Sequence, residues 1–520
     1  MAQLHHFSIL KVSLLVLIAL TYVSGKSFRT TKLGARNIFL RTTVDNESTT
    51  NSEEYEVYNY TQTLDHFNFK TESYTTFQQR YVVNSKYWGG PTNNSPIFLY
   101  AGAESDIMGD VQYGGFEHVL ASRFNALLVY IEHRYYGTSM PFGSKDKAYK
   151  NADTLGYFSS EQALADYAQT ILDVKKKMSA ENCPVIVIGG SYGGMLASWF
   201  RLKYPHIAYG ALASSAPILY FSGLTPENGY SSVVSKDFKS ISTSCYKTIR
   251  ESWFEIDRVA LQPHGLAHLS RAFNTCLPLN TTHELKYSLE LLYDVMAQYD
   301  NPTDNNIQTF CKATDGAGEK TYILDKILSG LATIYGDRCH DVFDPSISKD
   351  FGWDWQSCTE MVMPMGNGED DTMFQADPFD LDKYSKKCEQ AFGVTPRPYW
   401  APIEFGGYDI KTVLEKFASN IIFSNGLRDP YSSGGVLQNI SDTVVAVYTQ
   451  EDRVVSGWQI VSKIATLELT MVRVIYILGH HCLDVEAPTA TDPDWLVAQR
   501  DTEIKIIEGW LSKYTVPNAS

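Results

Sequence analysis

Gly189-Gly190-Ser191-Tyr192-Gly193-Gly194 sets a serine among small residues, directly after the apolar run Val185 to Ile188 and before a helix-like run from Met195. A G-x-S-x-G pattern in this setting predicts a sharp strand-to-helix turn that holds a serine Oγ at the strand end. Such a serine attacks a carbonyl and forms an acyl-enzyme. Without that setting the motif is only a Gly-rich turn, and a phosphate loop is disfavoured because no Lys-Ser/Thr pair follows the glycines. Serine at its own pKa is a weak nucleophile, so a histidine base and an orienting acid must follow, in the chain order Ser, Asp/Glu, His. Asp429 lies in Ser424-Asn425-Gly426-Leu427-Arg428-Asp429-Pro430, just past an apolar run ending at Phe423. An Asp-Pro turn residue looks the same, but a position at a strand's C-terminal end is where open α/β sheets carry their sites. Gly479-His480-His481-Cys482 follows the run Val472 to Leu478 and offers two adjacent candidate bases. His133 also follows a strand-like run, yet it precedes the serine and reads as structural. A metal site on His480 and His481 is disfavoured, because adjacent side chains diverge and no third ligand is evident. The developing oxyanion needs two donors. The Tyr192 amide is one candidate, and the Ala103 or Glu104 amide, in the loop after Ile97 to Tyr100, is the other.

These residues need a scaffold of short buried strands. Ile97 to Tyr100, Leu127 to Ile131, Val185 to Ile188 and Gly210 to Ala213 read as strands, with helix-like stretches such as Gln162 to Met178 between them. That alternation predicts a mostly parallel sheet with helices on both faces. It lapses over residues 223–398, where Leu285 to Tyr299 and Tyr322 to Tyr335 have helical periodicity, and this segment reads as a helical cap inserted into the sheet domain. The sheet domain is then residues 55–222 and 399–520. Strands return at Asn420 to Phe423, Val444 to Tyr448 and Val472 to Leu478, and a last helix over Asp494 to Lys513 has Val497, Ile504, Ile507 and Leu511 on one face.

A net charge of −15 on 520 residues argues against nucleic acid as a partner, since that binding draws on clustered Lys and Arg. The apolar stretch Val12 to Val23 is shorter than a spanning helix and is followed by Ser24 and Gly25, so residues 1–25 read as a cleaved signal peptide. Residues 26–54 are polar and read as a leader or removed propeptide. No membrane anchoring is expected after cleavage. A secretory route makes the sequons at Asn46, Asn59, Asn93, Asn280, Asn439 and Asn518 available for glycosylation. It also makes disulfides permissible. Cys245, Cys276, Cys311, Cys339, Cys358 and Cys388 crowd the cap, and spacing alone leaves fifteen connectivities open.

Several ordered motifs carry a resemblance: Thr63-Leu64-Asp65-His66-Phe67, Phe77-Gln78-Gln79-Arg80-Tyr81, Glu132-His133-Arg134-Tyr135-Tyr136-Gly137, Glu161-Gln162-Ala163-Leu164-Ala165-Asp166-Tyr167, the serine turn, Asn425-Gly426 with Asp429-Pro430, and the final Gly-x-His. The chain resembles the serine peptidase family of lysosomal Pro-X carboxypeptidase and dipeptidyl peptidase II. That resemblance implies an α/β-hydrolase fold with a disulfide-stapled helical cap, a triad of Ser191, Asp429 and His481, and no cofactor or metal. It assigns the base to His481 through the pattern Gly-x-His-x-x-Asp, and it puts Cys482 where many relatives have a second histidine. It matches Met195, Met363 and Tyr431 to the apolar pocket for the residue before the cut, where core packing is the plainer reading of the two methionines. It also implies the pairs Cys245–Cys311, Cys276–Cys339 and Cys358–Cys388. The implied substrates are peptides with proline near one terminus, with release of a C-terminal residue favoured over removal of an N-terminal dipeptide. An esterase or lipase, or a non-catalytic glycoprotein, are the other readings. The implied location is the lysosome, vacuole or extracellular space, a homodimer is compatible with the family, and an acidic pH optimum is expected.

Overall fold

The computed structural model describes residues 54–113, 115–302, 305–340, 351–370, 372–448, 450–455, 472–477 and 479–515. The expected signal peptide, and the leader up to residue 53, lie outside them. Eight strands form one sheet: β1 (Glu56–Thr63), β2 (Thr76–Asn84), β3 (Ile97–Ala101), β4 (Leu127–Ile131), β5 (Val185–Gly190), β6 (Ala208–Ser214), β7 (Ile421–Ser424) and β8 (Val444–Val447). Their order is β1-β2-β4-β3-β5-β6-β7-β8. β1 and β2 are antiparallel, β2 meets β4 antiparallel, and every pairing from β4 to β8 is parallel. This is the mostly parallel sheet expected from the alternation of strands and helices, in the α/β-hydrolase architecture that the family resemblance implies. All five residues of β4 are buried, as parallel strands covered by helices on both faces require.

Helices α1 (Ser160–Lys177) and α2 (Tyr192–Lys203) flank β5 in sequence. Between β6 and β7 the chain leaves the sheet for a run of helices that includes α3 (Gly229–Ile241), α4 (Thr243–Ala260), α5 (Thr282–Gln298), α6 (Asn306–Gly316), α7 (Ile323–Tyr335), α8 (Phe351–Thr359) and α9 (Leu381–Phe392). Phe238, Trp253, Tyr293 and Phe310 meet edge to face at its centre. Disulfides Cys245–Cys311, Cys276–Cys339 and Cys358–Cys388 staple these helices to one another, and none ties them to the sheet. A capping box between Thr281 and Glu284 starts α5.

The motifs flanking the serine turn converge on one buried ion pair. Arg134 donates to both oxygens of Asp166, at 2.7 and 2.6 Å, and to the carbonyls of Thr63, Leu64 and Tyr157. The ring of His66 lies 2.8 Å from the same carboxylate. Three distant sequence segments are thereby fixed to each other beside the sheet.

Two expectations differ from the structure. Val472–Ile477 (β10) pairs antiparallel with Gln450–Val455 (β9) in a separate two-stranded sheet, not with the main one, while Leu478 lies outside the described residues. A hairpin partner close in sequence closes a shorter loop than a distant sheet edge does. The last helix, α10 (Asp494–Leu511), buries Leu496, Gln499, Arg500, Glu503, Ile507 and Trp510 and leaves Val497 exposed. Its inward face is rotated from the apolar stripe because polar side chains there bond the sheet: Gln499 Nε2 donates to Ser424 Oγ, and Ser424 Oγ to Glu503 Oε1.

Candidate active site

Ser191 sits at the junction of β5 and α2 with φ 57° and ψ −125°, a conformation that non-glycine residues rarely adopt. Tight packing enforces it. A Cβ at Gly193 would lie 2.8 Å from the Ala101 carbonyl, so the turn can press against the end of β3 only without a side chain there. The turn leaves Tyr192 as the first helical residue, whose N–H has no acceptor within the helix. That amide and the positive end of the α2 dipole suit an oxyanion. Ala103 packs on the same turn, 3.5 Å from the Cβ position of Gly193. Glu104 is half-buried near the Tyr192 and Tyr431 hydroxyls, which its charge pushes further up in pKa after burial has done most of that.

Asp429 is fully buried after β7 and caps the turn Pro430–Gly434: its Oδ1 accepts from the Tyr431 N–H at 2.9 Å. Its Oδ2 lies 2.7 Å from His481 Nδ1. A carboxylate only accepts, so Nδ1 carries the proton and Nε2 of the neutral ring is left with its lone pair. Burial alone disfavours the imidazolium, yet the Asp429 charge, with Cys482 and the hydrogen bond to Asp429 adding to it, outweighs burial and holds the His481 pKa well above the ordinary histidine value. The rings of Tyr299 and Tyr431 flank the imidazole at centroid distances of 5.9 and 5.5 Å.

The histidine loop lies against the serine turn. A Cβ at Gly190 would come within 2.9 Å of Cys482 Sγ, and the Cys482 N–H donates to Ser215 Oγ at 2.9 Å. Ser191 Oγ and His481 Nε2 are both buried and have no hydrogen-bond partner among the described residues. One is a hydroxyl able to give a proton and the other a lone pair able to take it. A hydroxyl, an imidazole lone pair and an orienting carboxylate are the groups from which a serine proton-transfer chain is built. His480 points elsewhere: its Nδ1 is 3.4 Å from the Ala297 carbonyl, and burial pushes its pKa down to about 3. His133 is also buried. Its Nδ1 donates to the Arg134 carbonyl, so its Nε2 accepts from the Tyr192 hydroxyl at 3.1 Å.

Met195, one turn beyond Ser191, is fully buried; Met363 and Tyr431 are buried with it in one apolar core. Met363 also lines a cavity of about 110 Å³ between α5, α8 and α9, a cavity that includes neither Met195 nor Tyr431. Among the sequons, Asn59, Asn93, Asn280 and Asn439 are exposed, whereas Asn46 and Asn518 lie outside the described residues.

Several residues around the site carry no motif of their own. Gln356 of α8 donates to the Tyr192 hydroxyl at 2.8 Å, fixing the ring beside the nucleophile from the cap side. Arg500 of α10 donates to the carbonyls of Leu483 and Asp484 and holds the histidine loop from below. The Gln298 carbonyl, at the end of α5, accepts from the His481 N–H at 3.2 Å. Gln356 and Gln298 act across more than 160 residues, so spacing could not flag them, and Arg500 bonds backbone carbonyls, which leave no mark in the sequence.

Human lysosomal Pro-X carboxypeptidase is 35% identical over 483 residues, covering 89% of this chain and 90% of the relative. The mouse protein of that name is 36% identical over 479 residues, covering 88% and 90%. Mouse thymus-specific serine protease is 29% identical over 417 residues, covering 73% and 78%. Among solved structures, Pyrococcus horikoshii acylaminoacyl peptidase is similar at 12% identity over 35% of this chain and 24% of that one, with a TM-score of 0.22. The profile of the family described as serine carboxypeptidase S28 matches residues 62–455, and the chain belongs to that family of serine peptidases.

Proposed function

We propose that this serine peptidase cleaves peptides after proline and releases the C-terminal residue, with Ser191 as nucleophile, His481 as general base and Asp429 as the acid that orients it. The observation that carries the reading is the Asp429–His481 bond, which leaves Nε2 free to accept a proton in the loop packed against the serine turn. In acylation, Ser191 Oγ attacks the prolyl carbonyl as its proton passes to Nε2. The Tyr192 amide, with that of Ala103 or Glu104, stabilises the oxyanion, and His481 returns the proton to the leaving amine. Water repeats the sequence to free the acid. Met195, Met363 and Tyr431 are assigned to the pocket for the proline ring. The mammalian relatives, named lysosomal Pro-X carboxypeptidases, support both the substrate class and a lysosomal location, and the four exposed sequons suit passage through the secretory route.

One observation favours a second reading, removal of an N-terminal dipeptide. The cavity beside Met363 is also lined by Glu290, Asp294, Asp354, Asp377 and Asp380 against Lys383 and Lys387, an excess of carboxyl groups that suits an ammonium group more than a carboxylate. Asp294 lies one helical turn before Gln298, about 6 Å along α5 from the carbonyl that holds His481.

Two substrates separate the readings at mildly acidic pH: an N-blocked peptide ending in Pro-Phe, and a Lys-Pro or Lys-Ala amide reporter with a free amine. Release of phenylalanine from the first is expected. Cleavage of the second alone would replace the carboxypeptidase with a dipeptidyl peptidase. Hydrolysis of p-nitrophenyl esters with neither peptide cut would mark an esterase. Ser191→Ala should abolish turnover by a factor on the order of 10⁴ or more, and unchanged hydrolysis would remove Ser191 from the mechanism.

A further inference from the structure

The helical insertion meets the two catalytic loops at a charge cluster that acyl transfer does not use. Arg428, the residue before the acid, donates from Nε to Asp237 Oδ1 of α3 at 3.2 Å and from Nη2 to Asp300 Oδ2, just beyond α5, at 3.1 Å. Its own N–H donates to the Gly479 carbonyl at 2.9 Å, so this one residue touches both loops and two elements of the cap. Asp300 is anchored in turn, because its Oδ1 accepts from the Ile307 N–H in the first turn of α6. His480 Nε2 lies 4.0 Å from Asp300 Oδ2, and the neighbouring His481 N–H is held by the last carbonyl of α5.

Both aspartates are buried, and the arginine side chain is only 19% exposed. Two carboxylates facing one guanidinium are a poor source of stability compared with apolar packing, but they fix geometry, because removing the shared partner strands buried charge. Burial pushes Asp237 up to about 7, with Arg428 opposing and Asp300 and Asp429 adding to the rise. Burial raises Asp300 as well, with Arg428 opposing it, and the cluster stands on its geometry, one guanidinium shared by two buried carboxyl groups. Among the described residues, the hydrogen bonds of Arg428 go to Asp237, Asp300 and Gly479, and Ser191 is not among its partners.

We propose that Arg428 is a positioning residue whose guanidinium clamps the acid and histidine loops to α3 and to the end of α5, so that Asp429 and His481 are aligned on Ser191 only with the cap docked. The clamp rests on the assignment of Ser191, Asp429 and His481 as the triad. It makes the cap part of the proton-transfer machinery as well as a wall of the substrate site.

The test compares Arg428→Met and Arg428→Lys with the unaltered protein, by the rate at which a fluorophosphonate labels Ser191 and by kcat and KM on whichever prolyl substrate is cut. For Arg428→Met, labelling and kcat should fall on the order of 10²-fold per folded molecule, as for other small misplacements of reacting groups. KM should change by less than about threefold, since no substrate contact is removed. Arg428→Lys, which keeps the charge but reaches only one carboxylate well, should recover part of the loss. If Arg428→Met does not fold, Arg428→Leu combined with Asp237→Asn and Asp300→Asn removes all three charges together and is read in the same way. Unaltered labelling and kcat in the folded variants, with only a lower melting temperature, would overturn the clamp and leave a purely structural ion pair. Absence of labelling in the unaltered protein would instead overturn the triad assignment, and the clamp with it.

Discussion

At the scale of single residues, the 2.7 Å contact between Asp429 and His481 has a measurable electrical consequence. The neutral imidazole is the competent base, and the neighbouring carboxylate stabilises the charged form, so kcat/KM should rise with pH through a raised histidine pKa. Asp429→Asn removes that charge. The rate should drop on the order of 10⁴-fold, and the acidic limb of the residual pH profile should move to lower pH. A limb that stays in place would mean that Asp429 does not set the base. This pull toward higher pH opposes the acidic optimum expected from the lysosomal resemblance, and a pH–rate profile decides between them. The Asp429–His481 pair proposed as acid and base was legible in the sequence, because each residue follows an apolar run in the expected chain order. The contacts of Arg428 with Asp237 and Asp300, and of Gln356 with Tyr192, could not be assigned, because these partners lie more than 100 residues away and only the folded cap brings them near.

At the scale of elements, the motifs that made the family legible turn out to serve packing as much as chemistry. Arg134 and Asp166 are both fully buried, and they join the segment before β2, the loop after β4 and helix α1. Arg134→Met or Asp166→Asn should each destabilise the protein by about 3–5 kcal/mol, since either leaves one buried group uncompensated. Urea unfolding would check this, and a loss below about 1 kcal/mol would contradict the assignment of this pair as the hub of the sheet domain. The strand and helix positions were readable where apolar runs were continuous, as in β3, β4 and β5. Reading failed where polar residues face inward. Gln499, Arg500 and Glu503 on α10 disguise its buried face, and no apolar pattern distinguishes a hairpin strand such as β10 from one that joins the sheet.

At the scale of the whole molecule, buried acids set the pH dependence of stability. Burial raises Glu117, Glu360 and Asp237 to about 7 and also raises Asp300, Asp484 and Glu503. A carboxyl whose folded pKa exceeds its unfolded value stabilises the fold below the unfolded value, and that contribution is lost as pH rises toward 7. The buried imidazoles of His133 and His480, lowered to about 4 and 3, act in the other direction and cost stability as pH falls below about 6.5. The melting temperature should therefore climb by several degrees from pH 8 to about pH 6.5 and gain less below it. Scanning calorimetry across that range is the check, and a melting temperature that rises steadily toward pH 8 would contradict it. The cap enters between β6 and β7, which are adjacent parallel strands. A connection between such neighbours normally needs little more than a dozen residues, so the entire helical insertion occupies what is, in topological terms, one crossover. The sheet register does not depend on the length of that crossover, but its rewriting is confined to positions other than Asp237, Gln298, Asp300 and Gln356, through which the crossover touches Arg428, His481 and Tyr192.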